Sequence, residues 1–336
     1  MHKSEIEEFA RNFFKAANEF VDQSPVSFAL QLSNKNVEVF LNADDGLTRY
    51  IQNAFLPVIA DNADFSLAIW RSNLRTGLPK LDWAQNYLKH DNLIPITLTH
   101  KYRIAFDKSQ GFIYLYDTET RRGAIWIAED SQISLNSFVT PFRVIFSWMA
   151  ESFGGEIIHA SAVSKNGNGL IINGPSGSGK STLALLCALA GLDFIADDVV
   201  LYHDGFINAI YRYAKVERNS SPCDLTGFNI FQMEPTKDAK NILDLKQLGE
   251  KFIPFARASA LILPIFTHLN QHARITPAIA IRLIAPNSLR ELMGGTPSNF
   301  KNLVNLTRKV PSYRIALSMD NSRNVESINS ILTEIS

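Results

Sequence analysis

Residues 170–182 read Leu170-Ile171-Ile172-Asn173-Gly174-Pro175-Ser176-Gly177-Ser178-Gly179-Lys180-Ser181-Thr182, and an apolar helix-like run, Leu183-Ala184-Leu185-Leu186-Cys187-Ala188-Leu189-Ala190, follows at once. An apolar strand that passes through a glycine-rich turn directly into a helix belongs to an α/β fold and to few others. Residues 174–181 fit G-x-x-x-x-G-K-[ST], a loop whose successive backbone N–H groups point inward. In such a loop Lys180 reaches the β- and γ-phosphates and Ser181 can ligate Mg²⁺. The helix N-terminus adds its dipole and its free N–H groups to the same anion site. Gly174, Ser176, Gly177, Ser178, Gly179, Lys180, Ser181 and Thr182 are therefore the candidate nucleotide-binding set, with ATP and Mg²⁺ as the implied ligands. A Gly/Ser-rich surface turn is the bland alternative.

Gly191 supplies a stop for the helix, and Phe194-Ile195-Ala196-Asp197-Asp198-Val199-Val200-Leu201-Tyr202 reads as a second buried strand carrying two adjacent acids. In a parallel α/β sheet this pair would top the strand on the edge that carries the phosphate loop. Side chains alternate along a strand, so Asp197 and Asp198 face different ways and take different jobs. One could hold the magnesium and the other could take a proton from an attacking hydroxyl. Solvated carboxylates at a strand end are the structural alternative. Upstream, residues 156–163 form a further strand, and Lys165-Asn166-Gly167-Asn168-Gly169 turns it into the loop strand as a hairpin. That places His159 on the strand beside the loop, between small residues; by position alone it reads equally as a packed core histidine.

The run His159-Ala160-Ser161-Ala162-Val163, the loop at 174–182, Gly191 and Ala196-Asp197-Asp198 together resemble the catalytic domain of HPr kinase/phosphorylase. The closest likeness is to the HPr-kinase-like serine kinases, which include kinases of lasso-peptide maturation. The resemblance implies a kinase domain with a fold akin to phosphoenolpyruvate carboxykinase, and it casts His159, Lys180 and Asp197 as catalytic residues with Ser181 on magnesium. It is specific over residues 156–202 and weaker beyond, where residues 209–215 look like a tyrosine-to-lysine segment of that branch and residues 310–314 like its terminal strand. A signature near E-I-R-G-L-G, which carries a metal-binding glutamate in HPr kinase proper, is absent; Glu217 is the nearest acid and lacks the context. HPr itself as substrate, and reverse phosphorolysis, therefore lose their sequence support. The relatives assemble into hexamers, so a homo-oligomer is an expectation of the resemblance alone.

The chain has 336 residues, 46% of them apolar, with 33 Lys and Arg against 33 Asp and Glu. That length can bury one or two cores, and the charge balance gives no bias toward nucleic acid or membrane. Two cysteines, Cys187 and Cys223, make neither a disulfide framework nor a metal spacing and fit the cytoplasm. No apolar run reaches the roughly 18 residues that span a bilayer, and the charged start is unlike a signal sequence.

Residues 1–150 read as an α+β domain with a recruiting or dimerising role, and residues 151–336 as the catalytic domain, the boundary falling near 130–155. In the first domain, residues 4–21 carry Ile6, Phe9, Phe13 and Phe20 at helical spacing behind a capping box of Ser4 and Glu7. Residues 26–41 alternate as two strands, 47–59 are apolar at helical intervals, and 65–70, 102–106, 112–116 and 124–128 are strand candidates, the last three an antiparallel meander. A helix is expected from Thr140, with Pro141 at its first position, to the stop at Gly154-Gly155. The aromatics Phe28, Phe40, Phe65, Trp70 and Trp126 read as core.

In the second domain a hairpin is expected about His203-Asp204-Gly205, residues 211–251 read as polar lid loops, 259–269 and 278–285 as buried strands and 286–293 as helix. Tyr211 and Lys215, four apart, read as helical neighbours. His268 and His272 have a spacing that could bind metal but lack partners, and Arg282, Arg290 and Arg308 could lend charge to a phosphate.

The expected reaction is ATP-dependent phosphorylation of a hydroxyl, a serine of a peptide or protein first. Asp197 would accept the proton, His159 would orient it, and Asp198 would lie nearer the metal with Ser181. A small-molecule hydroxyl kinase and a non-catalytic, ATP-responsive binding protein remain open alternatives.

Overall fold

In a computed structural model, residues 3–23, 26–72, 94–97, 101–131, 139–217, 230–232, 240–266, 272–291 and 297–335 are described. The chain divides into two units, Met1–Phe153 and Gly154–Ser336.

In the first unit the described strands form one eight-stranded sheet. Its centre is parallel: Lys35–Asn42 pairs with Phe65–Ser72, which pairs with Arg122–Ala128. The meander expected over 102–128 closes one flank antiparallel. The amphipathic helix Lys3–Val21 buries Ile6, Phe9 and Phe13 against Trp70 and Trp126 of the sheet. Ser4 lies inside that helix rather than at its cap, so the expected capping box does not form. The helix expected from Thr140 instead starts at Arg143 and runs to Ser152. Phe142 stands before it in the left-handed region, at φ 59°, with its ring 5.9 Å from Phe112. Burying that ring in the core decides the helix start over the proline signal.

The second unit is built on a nine-stranded mixed sheet of described strands. The hairpin of Ala160–Lys165 and Asn168–Asn173 turns through Asn166 and Gly167, both at positive φ, as the Asn-Gly pair demands. Its second strand, the one leading to the phosphate loop, lies parallel to Phe255–Phe266. That twelve-residue strand in turn lies parallel to Ser312–Leu317. Asp193–Ala196 runs antiparallel to Ala160–Lys165, so it points the same way as the loop strand without touching it. The acidic pair thus reaches the loop's edge through a mixed sheet, not the purely parallel one expected.

Residues 278–285, expected as a strand, lie in the helix Pro277–Glu291, which buries Ala280, Ile284 and Ser288 at four-residue spacing. Pro277 starts that helix. The polar region expected as lid loops contains a three-stranded antiparallel sheet of Tyr213–Glu217, Lys240–Asp244 and Ile230–Gln232. Ala214, Val216, Leu243 and Leu245 bury there against the phosphate-loop helix Lys180–Leu189 and the main sheet. Residues 237–239, Cys223 and His268 fall outside the described residues. Among the described residues no helix is long and apolar enough to cross a membrane.

Candidate active site

The Asn168–Asn173 strand ends in the glycine-rich turn and the helix Lys180–Leu189 begins at its far side. Gly179 stands at the N-cap with φ 86°, a left-handed conformation that a side chain resists, and no side chain caps the helix. At the other end Gly191 N–H donates to Ala188 O and Leu192 N–H to Cys187 O, the double bond of a Schellman stop. The Lys180 side chain is almost fully buried and folds over the turn, its Nζ donating to Gly174 O at 2.7 Å and Pro175 O at 3.1 Å. Both acceptors are neutral carbonyls that a phosphate oxygen can replace with a charge-assisted bond.

Across from the loop, the strands at 156–165 and 193–203 run antiparallel, with Ile158 opposite Val200 and Ala162 opposite Ala196. Between those pairs the ladder opens, and His159 meets Asp198 across it while Ser161 meets Asp197. Val199 N–H donates to Asp197 O at 2.7 Å, a three-residue turn about Asp198, whose φ is 65°. A non-glycine residue held in that tight turn is strained, and such strain gathers at functional sites. The turn sends the two carboxylates to different places. Asp197 is 2% exposed and faces inward, its Oδ1 accepting from Ser161 Oγ at 2.6 Å and its Oδ2 from Lys215 N–H at 2.9 Å. Asp198 faces a cavity of about 260 Å³.

That cavity is lined by Ser176, Gly177, Gly179, Lys180, Ser181 and Thr182 of the loop and by His159, Asp198 and Lys215 opposite. Lys215 Nζ lies 2.7 Å from Asp198 Oδ2, and His159 Nδ1 lies 3.0 Å from the Asp198 carbonyl oxygen and 3.5 Å from its Oδ1. Asn173 Nδ2 donates to His159 O at 2.8 Å and so ties the histidine to the loop strand. The structure therefore brings His159, Lys180, Ser181 and Asp198 to one cleft and leaves Asp197 behind its wall. Gly174 and Ser178 shape the turn from beneath: a Cβ on Gly174 would meet Ser178 Oγ at 2.6 Å.

Lys215 is the residue that reading the sequence missed. It lies on a strand, not a helix, so Tyr211 is not its helical neighbour. Alternation along residues 213–217 was its available signal, since Ala214 and Val216 are core and Lys215 turns the other way. Arg212, at the strand's start, pairs with both oxygens of Asp244 and fixes the register that presents Lys215. Arg282 and Arg308 do not line the cleft. His272 faces Glu334 at 3.8 Å. Among the described residues no group of three His, Cys, Asp or Glu side chains could hold a metal.

No family model and no curated protein matches the chain. Among solved structures, the Hpr(Ser) kinase/phosphatase from Coxiella burnetii is matched at 12% identity and a TM-score of 0.28, over 53% of this chain and 99% of that one.

Proposed function

We propose that the protein transfers the γ-phosphoryl group of ATP to a hydroxyl, with a serine of a peptide or protein as the acceptor. One observation carries this reading: a phosphate loop and a carboxylate flanked by a histidine and a lysine line the same cleft. A protein that only sensed ATP would have no use for a strained acid aimed at its phosphates.

The loop N–H groups and Lys180 would hold the triphosphate, and Lys180 would exchange its two carbonyl partners for phosphate oxygens. Ser181 lines the cleft with a hydroxyl oxygen, which suits Mg²⁺, an ion that keeps several waters and takes one or two protein ligands. When bound it would offset charge on the β- and γ-oxygens. We assign the proton-accepting role to Asp198 rather than to Asp197, because both oxygens of Asp197 are already engaged behind the wall. A positioned base of this kind contributes about 10²- to 10⁴-fold in rate. His159 orients Asp198 from one side. Lys215 holds its other oxygen and stands ready to meet charge as the phosphoryl group leaves. Asp197 serves by position, anchoring the backbone of Lys215 and the hydroxyl of Ser161.

The test is Lys180→Ala. Calorimetric titration with ATP and an assay of phosphate transfer should both fall at least tenfold, the loss of one charge-assisted contact. Unchanged ATP affinity in this variant would remove the loop from the mechanism.

A further inference from the structure

The helix Pro277–Glu291 is apolar over more of its surface than it buries. Ala280, Ile284 and Ser288 face the core, while Ile279 and Leu283 stand 42% and 36% exposed. A helix with apolar residues on several faces calls for cover on more than one of them. The helix Pro297–Lys309 packs on it, and between the two runs an open groove of about 560 Å³. Ile281, Ala285, Pro286 and Leu289 line the groove from one helix, and Phe300, 47% exposed, from the other. Its charged lining residue, Arg282, makes no ion pair among the described residues. The whole chain balances 33 cations against 33 acids, yet these two helices carry Arg282, Arg290, Lys301, Arg308 and Lys309 against Glu291 alone. An apolar groove in a basic surface fits an acidic amphipathic partner.

Both helices are fastened to the backbone that holds His159. Asn173 Nδ2 lies 3.4 Å from Ser288 Oγ, on the buried face of the first helix, and the same amide donates to His159 O at 2.8 Å. From the second helix Asn299 Nδ2 donates to both oxygens of Glu156, at 3.1 and 3.0 Å, and Asn302 Nδ2 to one of them at 3.2 Å. Glu156 is buried three residues before His159. A chain seated in the groove is therefore held by the elements that carry the site.

We propose that the groove docks an acidic amphipathic helix of the protein that accepts the phosphoryl group, with its apolar residues against Leu289 and Phe300 and a carboxylate on Arg282. This deepens the proposed function and rests on its reading of a protein acceptor. A second copy of this chain fits the groove less well, because a two-fold contact sets the same cations against each other. A lipid surface takes apolar side chains that protrude, whereas Ile281 and Leu289 line a recess.

The probe is a fluorescent peptide as long as Pro277–Glu291, with leucine at i, i+3, i+4 and i+7 and glutamate elsewhere. It is titrated by anisotropy into the full chain as wild type, Arg282→Glu and Phe300→Ala, and the same three proteins are given cell extract and γ-labelled ATP. Both side chains are exposed, so the substitutions leave the fold and the affinity for ATP unchanged. Peptide binding should weaken about fivefold or more in Arg282→Glu and about tenfold or more in Phe300→Ala. A counterpart with lysine for glutamate should bind wild type about tenfold more weakly, and label in protein should fall with both variants. Equal binding of the two peptides, or a variant that binds the acidic peptide as wild type does, would overturn the groove. Variants that lose the peptide but label protein at full rate would overturn its link to the acceptor. Two further results would overturn the proposal in favour of another occupant: binding to vesicles of three parts phosphatidylcholine to one of phosphatidylserine without binding to the peptide, or self-association in sedimentation that Phe300→Ala abolishes. A wild type that labels no protein would contradict the proposed function and the acceptor's place here, while the peptide titration would still report whether the groove holds an acidic helix.

Discussion

Replacing Asp198 by Asn keeps its size and removes the negative charge beside Lys215 and His159. We expect phosphate transfer to fall 10²- to 10⁴-fold while ATP affinity stays within a few-fold. Asp197→Asn should behave differently. An amide oxygen can keep the Lys215 N–H bond, but its NH₂ must then donate to Ser161 Oγ, which leaves the buried Ser161 hydroxyl proton without the carboxylate it served. The variant should lose about 1–3 kcal/mol of stability in a urea titration, and its kinetic defect should follow from a displaced Lys215. A full-rate Asp198→Asn with an inactive but stable Asp197→Asn would restore the assignment first read from sequence. Elsewhere in the same unit burial alone decides chemistry. The Cys187 thiol, enclosed in the phosphate-loop helix, is pushed up to about 12 by loss of solvation. Because the thiolate is the reactive form, alkylation at pH 8 should leave the Cys187 peptide unlabelled in native protein and label it fully in denaturant, as mass spectrometry can check.

Local chemistry carries the strand–turn–helix at the phosphate loop, and its weak point is Gly179. Alanine there must hold φ near 86°, at a cost of about 1–2 kcal/mol. If the loop relaxes to avoid that strain, the N–H groups that begin the helix lose their aim. Gly179→Ala should lower the melting temperature and weaken ATP binding tenfold or more, both readable in one thermal-shift titration. This element was legible in the sequence because it is local, and so were the hairpins at Asn166-Gly167 and Asp204-Gly205 and the stop at Gly191. What the sequence hid depends on distant partners. Residues 213–217 are a strand only because 240–244 return to pair with them, so the reach of Lys215 to Asp198 was not legible even where alternation marked the residue. The parallel centre of the first sheet joins segments more than twenty residues apart, where only the neighbouring hairpins show in a local pattern. The run at 278–285 was misread because a short apolar stretch fits either period. Asp197 and Asp198 do face different ways, but not by strand alternation: they lie between the strands Asp193–Ala196 and Val200–His203, and the turn about Asp198 parts them.

At the scale of the molecule, the candidate site lies wholly within the unit Gly154–Ser336. A ligand at a hundred times its dissociation constant adds about 2.7 kcal/mol to the unit that holds it. For a unit of this size that is a rise of roughly 5–10 °C. Scanning calorimetry with and without Mg·ATP should move the part of the transition that belongs to Gly154–Ser336 by that amount. An ATP effect on the Met1–Phe153 transition alone would place the site elsewhere. The most direct measurement is transfer itself: cell extract incubated with ATP labelled in its γ-phosphate, with wild-type protein or Asp198→Asn added. We expect a labelled phosphomonoester with wild type that is absent with the variant, although both bind ATP. Equal labelling by the two, or none by a wild type that binds ATP tightly, would contradict phosphoryl transfer through this cleft.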